Sequence, residues 1–227
     1  QPTAHPDPDT PLPTLAPAGT WTIDLTYTPV GPPGELLVHA WVRRDDRLKV
    51  SVLPSFASRW LMPRLIRFMD ANPGLEVNVI ASIALADFAG DEIDVAIRFG
   101  VGPWPPLVCE KFLDDEYFPV ASPKWKRGKL PKTPRDLLTA GIIREDRDYW
   151  DQWFERAGVP IEEVRAIRGP TFNDSTFSLQ AAARGEGIAL ARRSIVGEDL
   201  ERGTLKRLFD ITIVDASAGR CRSNSVL

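Results

Sequence analysis

The sequence predicts an α/β protein with two mainly parallel sheets, and two observations support this class. Strand patterns and helix patterns alternate from Leu48 onward, with short turns between them. Near the middle of the chain, residues 107–121 form one long extended stretch instead. A stretch of this length can cross from one sheet to another. We therefore expect two α/β subdomains joined by crossover strands.

The composition fits one or two globular units and argues against several classes of protein. The chain has 227 residues, 43% of them hydrophobic, and a formal net charge of −3. This charge gives no sign of the basic footprint that a DNA-contacting domain usually has. No apolar run approaches the ~20 residues that span a bilayer. No signal peptide is evident, but a mature secreted chain would also lack one, so the expected cytoplasmic location depends on the cysteine usage instead. The only cysteines, Cys109 and Cys221, lie far apart in sequence, which argues against a disulfide scaffold.

Residues 1–46 differ from the rest of the chain. Six prolines in residues 1–19 predict an extended, poorly ordered tail. Alternating apolar residues then run from Trp21 to Tyr27, and a Gly-Pro-Pro-Gly turn at 31–34 separates them from a second extended run at 36–42. This pattern predicts a β-hairpin. The alternative is a flexible appendage, and the pattern does not decide between the two.

A strand leads directly into a helix between positions 47 and 67. The strand is indicated by apolar residues at 48, 50 and 52, and the helix by a stripe of Leu61, Leu65 and Phe68. Pro63 lies inside the helix pattern, so the helix either starts near Ser58 or kinks there. The joint between strand and helix consists of Ser55, Phe56, Ala57 and Ser58.

A second joint of the same kind consists of Asn173, Asp174, Ser175 and Thr176. The N-terminus of a helix leaves backbone N–H groups without partners, and these suit an anion or a carbonyl oxygen. Two such joints on separate lobes would form a ligand cleft. The simpler alternative is that the serines and Asp174 only cap their own helices.

The remaining elements follow from the same patterns. We expect further strands at 75–81, 94–97, 142–143, 164–172, 188–191 and 204–209. Further helices are expected at 85–89, 133–140, 149–157, 175–184 and 195–202, each followed by a glycine. The aromatic residues at 149, 150, 153 and 154 are predicted to form the core of the second subdomain. Arg192 and Arg193 are expected to be solvated or paired with acidic neighbours.

Four segments resemble a known family, in order and at plausible spacing. They are SVLPSFASRWLMPRLIRF, DEIDVAIRFGVGPWPPL, FNDSTFSLQAAARGEGIALARRSI and EDLERGTLKRLF. These residues resemble the effector-binding domain of LysR-type transcriptional regulators over roughly positions 47–209. The resemblance implies a periplasmic-binding-protein-like (type II) fold, with a small effector bound between the two subdomains. It also implies homo-oligomerisation and, in the intact regulator, an N-terminal winged helix-turn-helix.

Both ends of the chain depart from the family pattern. Residues 1–46 do not match a helix-turn-helix, because the prolines and the Thr-rich alternation are incompatible with a bundle of helices. Residues 210–227 do not match the strand and helix that would return to the first subdomain, so we expect apolar surface to be uncovered there. The predicted division is therefore a tail and hairpin at 1–46, subdomain 1 at 47–106, the crossover and subdomain 2 at 107–209, and an unmatched tail at 210–227.

The resemblance places both joints on the effector cleft. A buried strand that ends at Arg98 brings a guanidinium near the crossover, where it could hold a carboxylate or form an ordinary ion pair between the lobes. An acidic Asp174 would suit an ammonium group. The effector is thus expected to be amino-acid-like or carboxylate-bearing. The predicted effector-binding residues are Ser55, Phe56, Ala57, Ser58, Arg98, Asn173, Asp174, Ser175 and Thr176.

Enzyme chemistry is not expected. The only histidines, His5 and His39, lie outside the region that resembles the family, and no Cys/His cluster has metal-ligand spacing. We therefore predict a sensor without a cofactor, which contacts DNA only through a helix-turn-helix absent from this chain. The alternatives are a periplasmic solute-binding protein that delivers a small metabolite to a transporter, and a chimeric reading frame without a function.

Overall fold

The computed structural model describes residues 21–27, 34–40, 47–88, 93–99, 108–125, 128–146 and 149–222. The predicted proline-rich tail at 1–19 lies outside these ranges. The first described element is the hairpin, in which β1 (Trp21–Tyr27) pairs antiparallel with β2 (Gly34–Ala40). The hairpin predicted from the alternating pattern is confirmed.

Within the described residues, nine further strands form one sheet in the order β4-β3-β5-β11-β6-β9-β7-β8, with β10 beside β6. Parallel pairs lie at its two ends, and antiparallel strands lie between them. We call residues 47–99 the first lobe and residues 113–209 the second lobe. The strands are β3 (Arg47–Val52), β4 (Glu76–Ala81), β5 (Val95–Phe99), β6 (Val108–Ala121), β7 (Ile142–Glu145), β8 (Thr171–Phe172), β9 (Ile188–Arg192), β10 (Lys206–Arg207) and β11 (Ile213–Arg222).

The C-terminal strand differs from the expectation of an unmatched tail from 210 onward. β11 runs between β5 of the first lobe and β6, and it pairs antiparallel with both. It therefore supplies the return to the first lobe that the sequence motifs did not reveal. Together, β6 and β11 are the two crossover strands. Their register also sets Cys221 opposite Cys109, although the two residues are far apart in sequence.

One long helical segment follows β3 without a break. It consists of α1 (Pro54–Phe56), a π-helical turn (Ala57–Leu61) and α2 (Met62–Ala71). The helix thus starts before Ser58, at Pro54. In the π turn, the Met62 N–H donates to the carbonyl of Ala57, five residues earlier, instead of to the carbonyl four residues earlier as in an α-helix. The next residue, Pro63, has no N–H to donate.

The second lobe carries the other helices. After a 3₁₀ turn (Pro134–Asp136), they are α3 (Leu137–Ala140), α4 (Trp150–Arg156), α5 (Ile161–Val164), α6 (Ser175–Ala183) and α7 (Arg193–Glu201). Most of these match the predicted helices.

Two predicted elements are wrong. Residues 82–88 are not helical: the Ala84 N–H donates to the Ser82 hydroxyl, and the Ala84 carbonyl accepts from Arg98. The strand predicted at 164–172 is reduced to the two residues of β8. The helix α5 precedes it, because Pro160 and the acidic residues at 162 and 163 favour a helix start.

The core joins the two lobes on one side of the cleft. One buried cluster contains Phe56 and Trp60 of the first lobe together with Leu179 and Ile195 of the second. The rings of Phe56 and Trp60 stack with their centroids 4.7 Å apart. A second cluster lies within the second lobe, and its buried Trp150, Trp153 and Phe154 confirm the predicted aromatic core. The lobes are therefore packed together beside the cleft, so that only limited changes in their relative angle leave this core intact.

Candidate effector site

A cavity of about 580 Å³ lies between the two lobes, at the point where the first lobe faces the second. Of the predicted site residues, the structure brings together five on its wall: Ser55, Arg98, Asn173, Asp174 and Ser175. The two joints therefore open into one shared space, although they come from different lobes. This is the geometric arrangement that the cleft prediction requires.

The other four predicted residues do not line the cavity. Phe56 and Ala57 are buried in the shared core, because the helix turns them away from the joint. The Ser58 hydroxyl donates to the Ser55 carbonyl within the helix. The Thr176 N–H donates to the Asp174 carboxylate, so Thr176 takes part in the capping of α6. A direct effector contact is therefore not indicated for these four residues.

One carboxylate connects the two joints. Asp174 caps α6 by accepting the Thr176 N–H at 2.9 Å, and its other oxygen accepts the buried Ser55 N–H at 3.1 Å. The capping alternative is therefore correct for Asp174, but the same side chain also reaches the first lobe. Because Asp174 already occupies the Ser55 N–H, an incoming anion would have to displace it or bind beside it.

Arg192 is a central residue of the site that sequence reasoning missed. It was expected to be solvated or paired, yet it is buried at the end of β9. Its guanidinium donates to the hydroxyls of Ser55 and Ser175, each at 3.3 Å, and lies 4.2 Å from the centroid of the Phe99 ring. It thus contacts both lobes. The signal that could have found it is its position directly after a buried strand, at the same kind of strand end as the joints.

Glu145 is the second residue that the sequence did not indicate. It is the last residue of β7 and lines the cavity, and its carboxylate accepts a hydrogen bond from the Ser175 hydroxyl at 2.8 Å. Burial raises the pKa of Glu145, and the hydrogen bond from Ser175 and the charge of Arg192 only partly oppose this rise. The site thus contains a carboxyl group that keeps its proton to a higher pH than an exposed glutamate does.

A second buried carboxylate, that of Asp115, interacts with the charge of Arg192. Asp115 accepts hydrogen bonds from the Ser194 hydroxyl and from the Ser194 N–H, the latter at 3.0 Å. Burial raises the pKa of Asp115, while the bonds from Ser194 and the charge of Arg192 act in the opposite direction. Asp115 therefore has two roles: it accepts hydrogen bonds from Ser194 at the start of α7, and its negative charge interacts with the positive charge of Arg192.

Arg98 lines the cavity, but its hydrogen bonds are directed at the protein. It donates to the Ser51 hydroxyl at 2.7 Å, to the Ala84 carbonyl at 2.9 Å and to the Ile97 carbonyl at 2.9 Å. Burial lowers the pKa of Arg98. These neutral partners differ from the ion pair between lobes that was the alternative for Arg98, and the carboxylate contact stays a prediction. Arg98 instead holds residues 82–88 against β3 and β5.

The cavity also has an apolar wall, by which we mean the lining residues Ile83, Leu85 and Phe88. Tyr117 and Tyr149 line the cavity as well. Leu85 is 88% exposed and Ile83 is 53% exposed. Across the described ranges, no three His, Cys, Asp or Glu side chains come together in a way that could hold a metal ion. A bilayer-spanning helix is not found in the part of the chain that the structure describes.

Comparison with known proteins identifies the family. The model of the LysR substrate binding domain matches residues 43–216. The chain belongs to the LysR substrate-binding domain family. The matched region extends beyond positions 47–209 at both ends, and it includes the start of β11. The type II periplasmic-binding-protein-like fold, with two α/β subdomains and crossover strands, is confirmed.

The relatives of this LysR-type domain are named as transcriptional regulators. The glycine cleavage system transcriptional activator of Escherichia coli K12 is 38% identical over 173 residues, which cover 75% of this chain and 56% of that protein. The transcriptional activator AmpR of Rhodobacter capsulatus is 33% identical over 180 residues, which cover 78% and 60%. The chain thus spans less than two thirds of the length of these relatives.

Solved structures agree with this assignment. The effector domain of AmpR from Pseudomonas aeruginosa superposes with a TM-score of 0.70 at 29% identity, covering 80% of this chain and 87% of that domain. The LysR-type regulator CrgA from Neisseria meningitidis, at 18% identity and a TM-score of 0.65, has the same fold over 79% of this chain. These relatives are regulators rather than enzymes, and none of them supports the alternative of delivery to a transporter.

Proposed function

We propose that this chain is the effector-sensing part of a LysR-type transcriptional regulator. The observation that carries the proposal is the cavity of about 580 Å³ between the lobes. Polar side chains from both lobes line it, and we call five of them the floor of the cavity: Ser55, Glu145, Asp174, Ser175 and Arg192. A ligand in this position contacts both lobes at once. It can therefore change their relative angle, which is the motion that a regulator needs.

The proposed effector is amino-acid-like or carboxylate-bearing. Arg192 offers a buried positive charge beside the Ser55 and Ser175 hydroxyls, which suits a carboxylate or another oxygen acceptor. Glu145 and Asp174 lie on the same floor and suit an ammonium group. The floor thus offers both charges that an amino-acid head group carries.

The bond between the lobes sets the energetic condition for sensing. Asp174 joins the N-terminal ends of α1 and α6. A ligand changes this arrangement only if it binds one relative position of the lobes more tightly than the other. Exchange of the Asp174–Ser55 bond for a bond to the ligand provides such a difference.

The proposal also includes a homo-oligomer built through the first lobe. β4 is at the end of the sheet order, and the adjacent α2 exposes Met62, Ile66 and Met69. Within the described residues, a strand at the end of the sheet and an exposed apolar helix face in the same lobe favour association with a second copy. Light scattering after size exclusion tests this: Ile66→Glu is expected to give a monomer. The control is Phe177→Glu, which places the same charge on an exposed apolar residue of the second lobe.

DNA binding and cellular location follow from the same proposal. The regulator would act in the cytoplasm and would contact DNA through a helix-turn-helix domain that residues 1–227 do not provide. We propose no enzymatic activity and no cofactor for this chain. A mobility shift with an operator fragment checks the first point, and a tight, sequence-dependent complex with residues 1–227 alone would contradict it.

Calorimetric titration tests effector binding. Amino acids, small carboxylic acids and peptidoglycan fragments are titrated into the protein, and at least one class is expected to bind. Arg192→Met is expected to weaken that binding by about tenfold or more, because one charge-assisted bond contributes ~1.5–3 kcal/mol. Arg202→Met serves as the control, because Arg202 lies at the exposed end of α7, where it pairs with Glu198. Absence of binding across all three classes would contradict the proposed function.

A further inference from the structure

The cavity has a polar floor whose hydrogen-bonding groups already have partners. The Ser55 N–H is bonded to Asp174, the Ser175 hydroxyl to Glu145, and the Arg192 guanidinium to both serine hydroxyls. A ligand head group must therefore exchange existing bonds for new ones. Such exchanges contribute less affinity than the number of new bonds suggests, because a bond is lost for each bond gained.

The apolar wall has the opposite property. Leu85 and Ile83 line the cavity but remain 88% and 53% exposed, so a ligand that covers them removes apolar surface from water. Their position is fixed by the backbone of Ala84, which accepts from Arg98 at 2.9 Å and donates to Ser82 at 3.1 Å. The backbone between Ile83 and Leu85 is thus held in place by a buried guanidinium.

The size of the cavity agrees with this division. At about 580 Å³, it lies within the range of ~300–1,000 Å³ that is typical of pockets for drug-sized ligands. A single small amino acid placed on the floor would leave most of this volume, and the whole apolar wall, to water. The favourable contribution of the wall would then be lost.

Taking effector binding in this cavity as given, we propose that the effector is amphipathic. Its amino-acid or carboxylate head lies on the floor, against Ser55, Ser175 and Arg192. Its apolar body covers Ile83 and Leu85. The wall supplies most of the affinity and selects ligands by the length of the apolar body. Ile83 and Leu85 are therefore the specificity-determining residues of the site.

Two matched ligand series test this inference. The first is straight-chain 2-amino acids from alanine to 2-aminooctanoate, and the second is the corresponding carboxylic acids from propionate to octanoate. In calorimetric titrations, affinity is expected to rise about fourfold for each added methylene in at least one series, because each methylene buried on the wall contributes equally. The difference between the series measures the contribution of the ammonium group.

Amino-acid substitutions distinguish the contribution of the apolar wall to ligand affinity from that of the floor. The double variant Ile83→Ser, Leu85→Ser is expected to reduce the rise to less than about twofold for each methylene, while the shortest members bind as before. Phe177→Ser is the matched control, because this exposed apolar side chain lies outside the cavity, and it is expected to leave the rise unchanged. Arg192→Lys is expected to weaken all members by the same factor.

The outcomes are distinguishable from failure of the proposed function. If members bind with an affinity that does not depend on chain length, or if the double variant keeps the full rise, the inference is overturned while effector binding stands. If no member of either series binds, the inference is overturned. The proposed function is then decided by the titration with peptidoglycan fragments.

Discussion

The Asp174 carboxylate accepts the backbone N–H of Ser55 at 3.1 Å, across 119 positions of sequence. The same carboxylate caps α6 through Thr176. One side chain therefore connects the helix starts of the two lobes at the floor of the cavity. This bond lies where an effector is proposed to bind. The atoms that hold the two lobes together here are therefore the same atoms that an effector would contact.

Replacement of Asp174 by asparagine tests this connection. Asparagine has only one acceptor oxygen, so either the Ser55 N–H or the Thr176 N–H faces an amide donor instead. We expect Asp174→Asn to lower the free energy of unfolding by about 1–2 kcal/mol, as loss of a cap or a buried bond does. Urea denaturation at neutral pH measures the loss. Asp151→Asn, on the exposed face of α4, is expected to change stability little, and equal stability of both variants would contradict the role of Asp174.

The pH dependence of stability tests the environment of Glu145. Its pKa in the fold is raised above the ordinary value of 4.5, chiefly by burial. Between these two values the native state holds a proton that the unfolded chain has lost, so its stability falls as the pH rises. Glu145→Gln removes this dependence while keeping an acceptor for Ser175.

Stability of the two proteins is therefore compared from pH 5 to pH 8. The glutamine variant is expected to gain on the wild type as the pH rises, since only the wild type must ionise a buried carboxyl group. Asp115 titrates in the same direction, but it is present in both proteins and cancels in the comparison. Parallel stability curves would show that Glu145 does not titrate in this window.

Deletion of the C-terminal strand tests the return crossover. β11 pairs with β5 and with β6, so its loss leaves two central strands with unpaired backbone groups. We expect removal of residues 213–227 to abolish cooperative thermal unfolding, as measured by circular dichroism. Removal of residues 223–227 alone is the control. A cooperative transition in the longer deletion would contradict a structural role for β11.

Local patterns in the sequence were sufficient for most of the fold. The strand and helix around the first joint, the helix start at Thr133 and the buried aromatic residues of α4 each depend on neighbours within a few positions. Local patterns failed where distant side chains decide the structure. Residues 85–89 have a helical pattern, but Arg98 binds the nearby Ala84 carbonyl, and residues 82–88 are not helical.

The candidate site was predictable only in part for the same reason. Ser55 and Asp174 were found because each lies at a strand-to-helix joint, which is visible in the sequence. Arg192 and Glu145 were not, because their importance comes from contacts with residues of other elements. Likewise, β11 was not recognised from the sequence motifs, and its position follows in part from pairing with β5, more than 100 residues earlier.

The most direct test of the account is a crystal structure of this protein with the tightest-binding member of the two ligand series. The account predicts density for the ligand between the lobes, with its head within hydrogen-bond distance of Arg192 and its apolar body against Leu85. Density for the ligand at another surface, with the cavity between the lobes left to water or filled by the protein's own side chains, would contradict it.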